Sequence, residues 1–285
     1  MKQTTPENDT AYHQLGAHPG VPFREYLEWN LPSSHDLGLI RRSPAHYAEA
    51  KTNPRTQTPA MAFGSAAHTW ILEGMSAVSS SISIAPKVDR RTKAGKLVWA
   101  DFKDEAESMG KTIISEADSQ TIAAMDAAIQ ASPAGRGVLG AAPEREVSCV
   151  WQAEGGLVCR GRPDAYGPKV VVDLKTCQDA SAGEFGRTAA RYGYHAQAAF
   201  YLDGMRGQGI VDKDAVFVFL AVEKESPYGV GVYVMDERQI EAGRARYAPA
   251  LALYRQCRDS GEWPSYEASQ AIAPLKLPIW AMDVN

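Results

Sequence analysis

Nowhere does this 285-residue chain gather an apolar run approaching the roughly 20 residues that a membrane-spanning helix requires. A helical membrane span is therefore not expected. The stretch Met1–Asp9 is polar and lacks the apolar core of a signal peptide, so the expected compartment is the cytoplasm. Cysteine is scarce: Cys149, Cys159, Cys177 and Cys257 match neither a zinc-site spacing nor a CxxC redox pair. An iron–sulfur cluster needs four thiolates gathered together, and Cys257 stands far down the chain from the other three. Small buried hydrophobes in a reducing compartment are the expected role. Excess charge of one sign is also lacking, the formal net charge being -4, so any surface for a polyanion has to be local. Internal repeats and low-complexity tracts are lacking too.

What remains is an ordinary globular composition, 45% hydrophobic and 22% charged, in a chain long enough for one large domain or two small ones. Residues 1–20 read as a loose polar arm. Ser33 to Asp36, followed by Leu37, Leu39 and Ile40, is a capped helix start, and Pro44 opens another helical turn. Residues 51–59 read as a loop, then a helix from about Ala60 to Glu73. Further helical patterns lie near 92–109 and 115–131. The character then changes. Glu146–Gln152 and Leu157–Arg162 flank the turn signal Glu154-Gly155-Gly156. A strand ending in Asp173-Leu174-Lys175 follows, then a helix from about Ala182 to Met205. Strands Ala215–Glu223 and Val230–Met235 precede a last helix capped by Asp236, and a Pro- and Trp-containing tail is expected to pack over the body. Helices first, then strands interleaved with helices, predict a single α/β domain over 21–285, a central mixed sheet flanked by helices.

The segment GRPDAYGPKVVVDLKT, residues 161–176, carries the most chemistry. Val170-Val171-Val172 is short, β-branched and bounded by Gly167-Pro168, which predicts an interior strand. Alternation puts Asp173 and Lys175 on one face and turns Leu174 into the core. Asp164, one short turn earlier, can arrive beside Asp173. Two carboxylates and an ammonium at a strand end suit a divalent cation and a phosphate ester, since hard cations take oxygen ligands and activate water. A bare DxK is more often a surface ion pair; the apolar run and the upstream Asp164 favour a site.

Other residues are open to two readings. His68 lies one turn after Gly64 on a helix kept thin by Ala66 and Ala67, so its imidazole is either a metal ligand or a hydrogen-bonded core group. Glu73 reads as exposed near that helix end. Glu146 either faces the pocket of Asp164 or is an edge charge opposed to Arg145. Gln197 and Tyr201, four apart on one helix, either hold a phosphate and orient Lys175 or simply pack. Arg187 and Arg191 add charge near the same helix. Between Lys87 and Lys96 stand Lys87, Arg90, Arg91, Lys93 and Lys96 against the single acid Asp89, either a solvated face or a grip on a phosphate backbone. Few aromatics interleave there, so base stacking is not signalled. Arg160 and Arg162, beside Asp164 in sequence, join the candidate DNA contacts.

With these residues gathered, the chain resembles the nuclease-domain family of RecE (exodeoxyribonuclease VIII) within the PD-(D/E)xK superfamily. The likeness runs from about residue 21 to the C-terminus through GSAAHTWILE, RRTKAGK, CRGRPD, VVDLKT, YGYHAQAAFY and EWP. The resemblance implies a metal-dependent exonuclease that digests duplex DNA 5′ to 3′ and leaves 3′ single-stranded overhangs for strand-annealing recombination. The carboxylates make Mg²⁺ the expected ion, with Mn²⁺ accepted because an imidazole is a softer ligand than Mg²⁺ prefers. The resemblance also implies a homo-oligomeric ring on double-stranded DNA ends, a single-strand-annealing recombinase as partner, and no membrane. Carried onto this chain, it makes His68, Asp164, Asp173 and the Leu174 carbonyl metal ligands, Lys175 the catalytic lysine, and Gln197 with Tyr201 the supporting QxxxY pair. The third acidic position is Asp173 rather than Glu, a shorter carboxylate of the same charge. An endonuclease on the same core, or a non-catalytic DNA-end-binding protein, are the alternatives.

Overall fold

The computed structural model describes residues 14–53, 57–266, 272 and 274–277. Residues 1–13 of the expected arm lie outside the described residues. Its remainder is not loose, because β1 (Gly16–His18) pairs antiparallel with a strand near residue 149. Helices α1 (Phe23–Glu28), α2 (Ser34–Arg42), α3 (Pro44–Thr52) and α4 (Pro59–His68) follow. The Ser33–Asp36 capping box starts α2, and Pro44 and Pro59 occupy first-turn positions where a missing N–H costs nothing. After His68 the helix widens into a π-helical turn, Thr69–Glu73, and α5 (Gly74–Ser81) begins at Gly74 with φ 79°. Then come β2 (Ile82–Ile84), α6 (Lys93–Ser108), β3 (Thr112–Ile114), α7 (Glu116–Ala131) and α8 (Pro133–Ala141).

The strand-rich half comprises β4 (Glu144–Arg145), β5 (Ser148–Gln152), β6 (Val158–Gly161), β7 (Ala165–Gly167) and β8 (Val170–Cys177). Helices α9 (Ala182–Tyr192) and α10 (Tyr194–Gly207), strands β9 (Val216–Glu223) and β10 (Val230–Val234), and α11 (Glu237–Ser260) complete it. One helix was expected from Ala182 to Met205. It is broken at Gly193, whose φ of 73° closes α9 and turns the chain into α10.

The central sheet is mixed, in the order β10-β9-β8-β7-β4, with β8 and β9 parallel and the other pairs antiparallel. Helices cover both faces. Val171, Phe217 and Phe219 pack toward α2, α10 and α11, while Val170, Val172, Leu174, Val218 and Leu220 pack toward α4, α7 and α8. The predicted alternation along β8 therefore holds, with Leu174 fully buried on the α4 side. Not all strands join this sheet. β1, β5 and β6 form a separate three-stranded antiparallel sheet, and β2 and β3 a two-stranded parallel one. Cys149, Cys159 and Cys257 are buried and Cys177 half-buried. At the tail, Trp263 packs on Tyr47 and Tyr254.

Candidate active site

The two larger sheets share one antiparallel hairpin, and the candidate site lies where its ladder is interrupted. Arg145 opposes Ala165 in one half and Cys149 opposes Gly161 in the other. The step is four residues on each strand, so the register does not slip between the halves. In the gap Glu146 adopts φ 49°, and Pro163 has no N–H to donate. This is why β5 starts at Ser148 rather than at Glu146 as expected. The Glu146 N–H still donates to the Asp164 carbonyl at 3.1 Å, so these residues face each other across the gap. On the other side Ala165 opposes Val172, which brings the preceding residue, Asp164, beside Asp173. Glu146, Asp164 and Asp173 thus come from three neighbouring strand segments and form a row.

His68 completes the row from the end of α4. Ala66 and Ala67 are buried, so the helix lies close to the sheet. His68 Nδ1 stands 3.4 Å from Asp164 Oδ1 and 3.8 Å from Glu146 Oε1. One ligand atom from each of these residues lies within 4.8 Å of the others. Ligands about 2.1 Å from a shared ion stand roughly 3 to 4 Å apart, so small side-chain adjustments suffice to hold a divalent cation. Asp164 Oδ2 accepts from the Leu174 N–H at 2.6 Å, and Glu146 Oε2 from Arg162 Nε at 3.0 Å.

Asp173 stands next in the row, engaged by its neighbours. Its Oδ2 is 2.5 Å from Lys175 Nζ, and its Oδ1 accepts from Gln197 Nε2 at 2.7 Å. Lys175 Nζ also donates to Gln197 Oε1 at 3.4 Å and sits 4.7 Å from the Tyr194 ring centre. Asp173 Oδ2 is buried and, apart from its ion pair with Lys175, makes no hydrogen bond. A buried carboxylate oxygen with free acceptor capacity beside an imidazole and two carboxylates suits a divalent cation.

Burial opposes charge throughout this cluster, and the partners decide the outcome. Burial alone would lower His68, but the Asp164 and Glu146 carboxylates outweigh it and push the imidazole up to about 10. Burial would raise Asp164, yet His68, Lys175 and the Leu174 N–H hold it below the usual carboxylate range. Asp173 is pushed up by burial, against the pull of Lys175, and Asp164 adds to the rise. Lys175, which burial would lower, is raised by Asp173 and Asp164 and stays an ammonium. It is therefore set to donate to an anion rather than to accept a proton.

Several expected contacts take other positions. Arg160 is 3% exposed; it donates to the Leu31 carbonyl at 3.0 Å and to the Tyr26 carbonyl, and its guanidinium lies over the Tyr26 ring. It ties α1 and its exit loop to β6 and presents nothing to DNA. Arg162 is likewise turned inward, donating to Glu146, to the Val21 carbonyl at 2.8 Å and to Ser148 Oγ at 2.9 Å. Tyr201 does not reach Lys175; it is buried against Trp151 and Phe217, and its hydroxyl accepts from the Arg162 N–H at 3.5 Å. Leu174, expected to offer its carbonyl, meets the site through its N–H, which donates to Asp164 Oδ2. Lys93 and Lys96 are exposed on the first turns of α6, Arg90 stacks on Trp99 at 3.3 Å, and Arg91 pairs with Asp89. Arg187 pairs with Glu184, and exposed Arg191 lies by Tyr192. One residue was not anticipated: Tyr194, three before Gln197 on the same helix, covers the lysine. Glu73 is exposed as expected, yet close enough for Glu146 to help raise its carboxyl, after burial.

A cleft of about 760 Å³ between the β5–β6 turn and α10–α11 is lined by none of the candidate residues. A smaller one of about 350 Å³ opens directly on Gln197 and Tyr194.

No curated protein matches the chain. A crystal structure from Eubacterium rectale, described as a "Putative exonuclease", is similar over 99% of this chain and 98% of that one, with a TM-score of 0.58 and 13% identity. At that identity the likeness is one of fold, and it agrees with the mixed sheet and flanking helices described above. The model of a family described as a PDDEXK-like domain of unknown function matches residues 33–273, most of the chain, and the protein belongs to that family.

Proposed function

We propose that the protein is a divalent-metal-dependent nuclease that digests duplex DNA from its 5′ ends and leaves 3′ single-stranded overhangs. The observation that carries the reading is the row Glu146, Asp164, Asp173 across neighbouring strand segments, with His68 at one end and Lys175 at the other. His68, Glu146 and Asp164 would hold the cation, with Asp173 Oδ2 and the Leu174 carbonyl as further oxygens. A bound cation supplies Lewis-acid polarisation of the phosphoryl oxygen and a water of lowered pKa. Lys175, fixed as an ammonium, offsets charge that grows on the phosphoryl group in the transition state. Gln197 holds both Asp173 and Lys175, so neither group has to reorganise during the reaction. Arg162 fixes Glu146 against the pocket.

The polarity of digestion rests on the resemblance to RecE-type nucleases, as do a closed homo-oligomeric ring and a single-strand-annealing partner. Exposed Lys93 and Lys96 are offered as backbone grips, since an enzyme that travels along DNA reads phosphates rather than bases. The test is incubation with Mg²⁺ and linear duplexes labelled separately at the 5′ and 3′ ends, beside a covalently closed circle. The expected result is early release of the 5′ label with the circle intact. Cutting of the circle would replace this reading with an endonuclease.

A further inference from the structure

The smaller cleft has a chemistry that the carboxylate row does not explain. Away from Gln197 its wall carries one guanidinium, with a second outside the lining. Arg41 of α2 lines it, and Arg246 of α11 lies just behind, its Nη1 3.2 Å from Nε2 of His195 on α10. Among the described residues no carboxylate pairs with Arg41 or Arg246. Burial and then the Arg246 charge lower Arg41, and burial followed by both arginines lowers His195. Arg246 Nη1 also reaches the Ala190 carbonyl at 3.5 Å, but two guanidiniums close together with no carboxylate still repel and are relieved by an anion. Gly193 adjoins the site, a Cβ there making an ordinary contact 3.5 Å from Arg41 Nη1.

The same corner presents aromatic rings. Tyr192 is 66% exposed and stacks on Tyr194 at 5.9 Å and 22°. Tyr194 in turn lies against Lys175. From the lysine outward the order is therefore ring, exposed ring, and a flanking pair of guanidiniums. A base can stack on Tyr192 only if it is not paired within a duplex, and the cleft of about 350 Å³ is too small for a double helix.

We propose that this cleft holds an unpaired nucleic-acid strand next to the scissile bond, with Arg41 and Arg246 on a phosphate and a base stacked on Tyr192. The proposal rests on the nuclease reading above and narrows its substrate to ends whose strand is unpaired at the site. Arg41, Arg246 and Tyr192 are then positioning residues.

The test is fluorescence-anisotropy binding of labelled oligothymidylate and of a blunt duplex in chelator, with cleavage in Mg²⁺ run in parallel. Arg41→Gln/Arg246→Gln is expected to weaken oligothymidylate binding about 10-fold or more and to reduce the salt slope by about 0.7 for each phosphate that is no longer neutralised. Tyr192→Ala should weaken oligothymidylate but not duplex, leaving the salt slope unchanged. Arg41→Lys/Arg246→Lys should recover part of the affinity, which separates lost charge from lost folding. Wild-type affinity and slope in the glutamine variant, or no recovery in the lysine variant, would overturn the subsite even where wild-type protein cuts DNA. Oligothymidylate binding that depends on these residues in a protein that cuts no DNA supports the subsite and removes the nuclease reading alone.

Discussion

Glu146 and Asp164 face each other across one antiparallel hairpin at the point where its ladder is broken, the Glu146 N–H donating to the Asp164 carbonyl at 3.1 Å. Like charges directly opposed in a sheet repel, so such a pair persists only when something positive stands between or beside the two groups. That role falls to the His68 imidazole, 3.4 Å from Asp164 and 3.8 Å from Glu146, and to the Arg162 guanidinium, 3.0 Å from Glu146. The arrangement is costly as architecture and intelligible as a cation site.

If these three residues hold the cation, removing one should weaken it without unfolding the chain. His68→Ala and Asp164→Asn are each expected to lower Mn²⁺ affinity by about 10- to 100-fold or more, on the scale of losses seen when metal shells are cut. Calorimetric titration measures this. Wild-type Mn²⁺ affinity in His68→Ala would make His68 a helix-packing residue.

The charge state of His68 gives a pH dependence with a definite sign. Its ordinary value is 6.5 and the facing carboxylates push it up to about 10, so near neutrality it binds a proton that a ligating imidazole has to release. Mn²⁺ affinity should rise about tenfold per pH unit through the neutral range, with close to one proton released per ion. Titration in buffers of different ionisation enthalpy counts that proton. The same pairing stabilises the metal-free fold fully below pH 6.5, and that contribution is lost as the pH rises through about 10.

Arg160 should behave as part of the fold. Its guanidinium is buried on the Leu31 and Tyr26 carbonyls. Arg160→Ala is expected to cost about 2–4 kcal/mol, from lost charged hydrogen bonds and two stranded carbonyls. Urea unfolding measures the loss. A stable variant with weakened DNA binding would restore Arg160 to the DNA surface.

Gln197 and Tyr201 should separate. Gln197→Ala frees Asp173 and Lys175 from their shared partner, and a fall in kcat of about 10- to 100-fold with metal affinity retained is expected. Tyr201→Phe removes a hydroxyl that meets the Arg162 N–H and the Ser34 side chain, and should cost about 1–2 kcal/mol of stability while leaving kcat nearly unchanged. Equal losses of kcat in the two variants would return Tyr201 to the catalytic group.

How much of this was legible follows the range of the interactions. The faces of β8 were readable because alternation is a local property, and Ser33–Asp36 and Ser115–Asp118 declared their helices through capping boxes three residues long. The convergence of Asp164 on Asp173 was readable because one short turn separates their strands. The break at Gly193 was not, since a glycine within a helical pattern is common and only its φ of 73° makes it a corner. Tyr194 was hidden with it. The inward turn of Arg160 and Arg162 was not readable, because Tyr26, Leu31 and Val21 offer backbone carbonyls more than a hundred residues away. The nearer partners of Arg162, Glu146 and Ser148, meet it only across the hairpin. The β5–β6 hairpin was readable from its turn signal, but the β1 strand that completes its sheet was missed for a related reason. Nothing local to Gly16–His18 announces a strand that exists only through its pairing with β5.

The central claim is that hydrolysis depends on the Lys175 ammonium held between Asp173 and Gln197 beside the cation. Lys175→Ala tests it most directly, with Mn²⁺ binding and cleavage of an end-labelled linear duplex measured on the same sample. The account expects Mn²⁺ to bind about as tightly as in the wild type while cleavage falls about 10²- to 10³-fold or more, because the ammonium acts in the transition state. Cleavage near the wild-type rate with Mn²⁺ bound would contradict it.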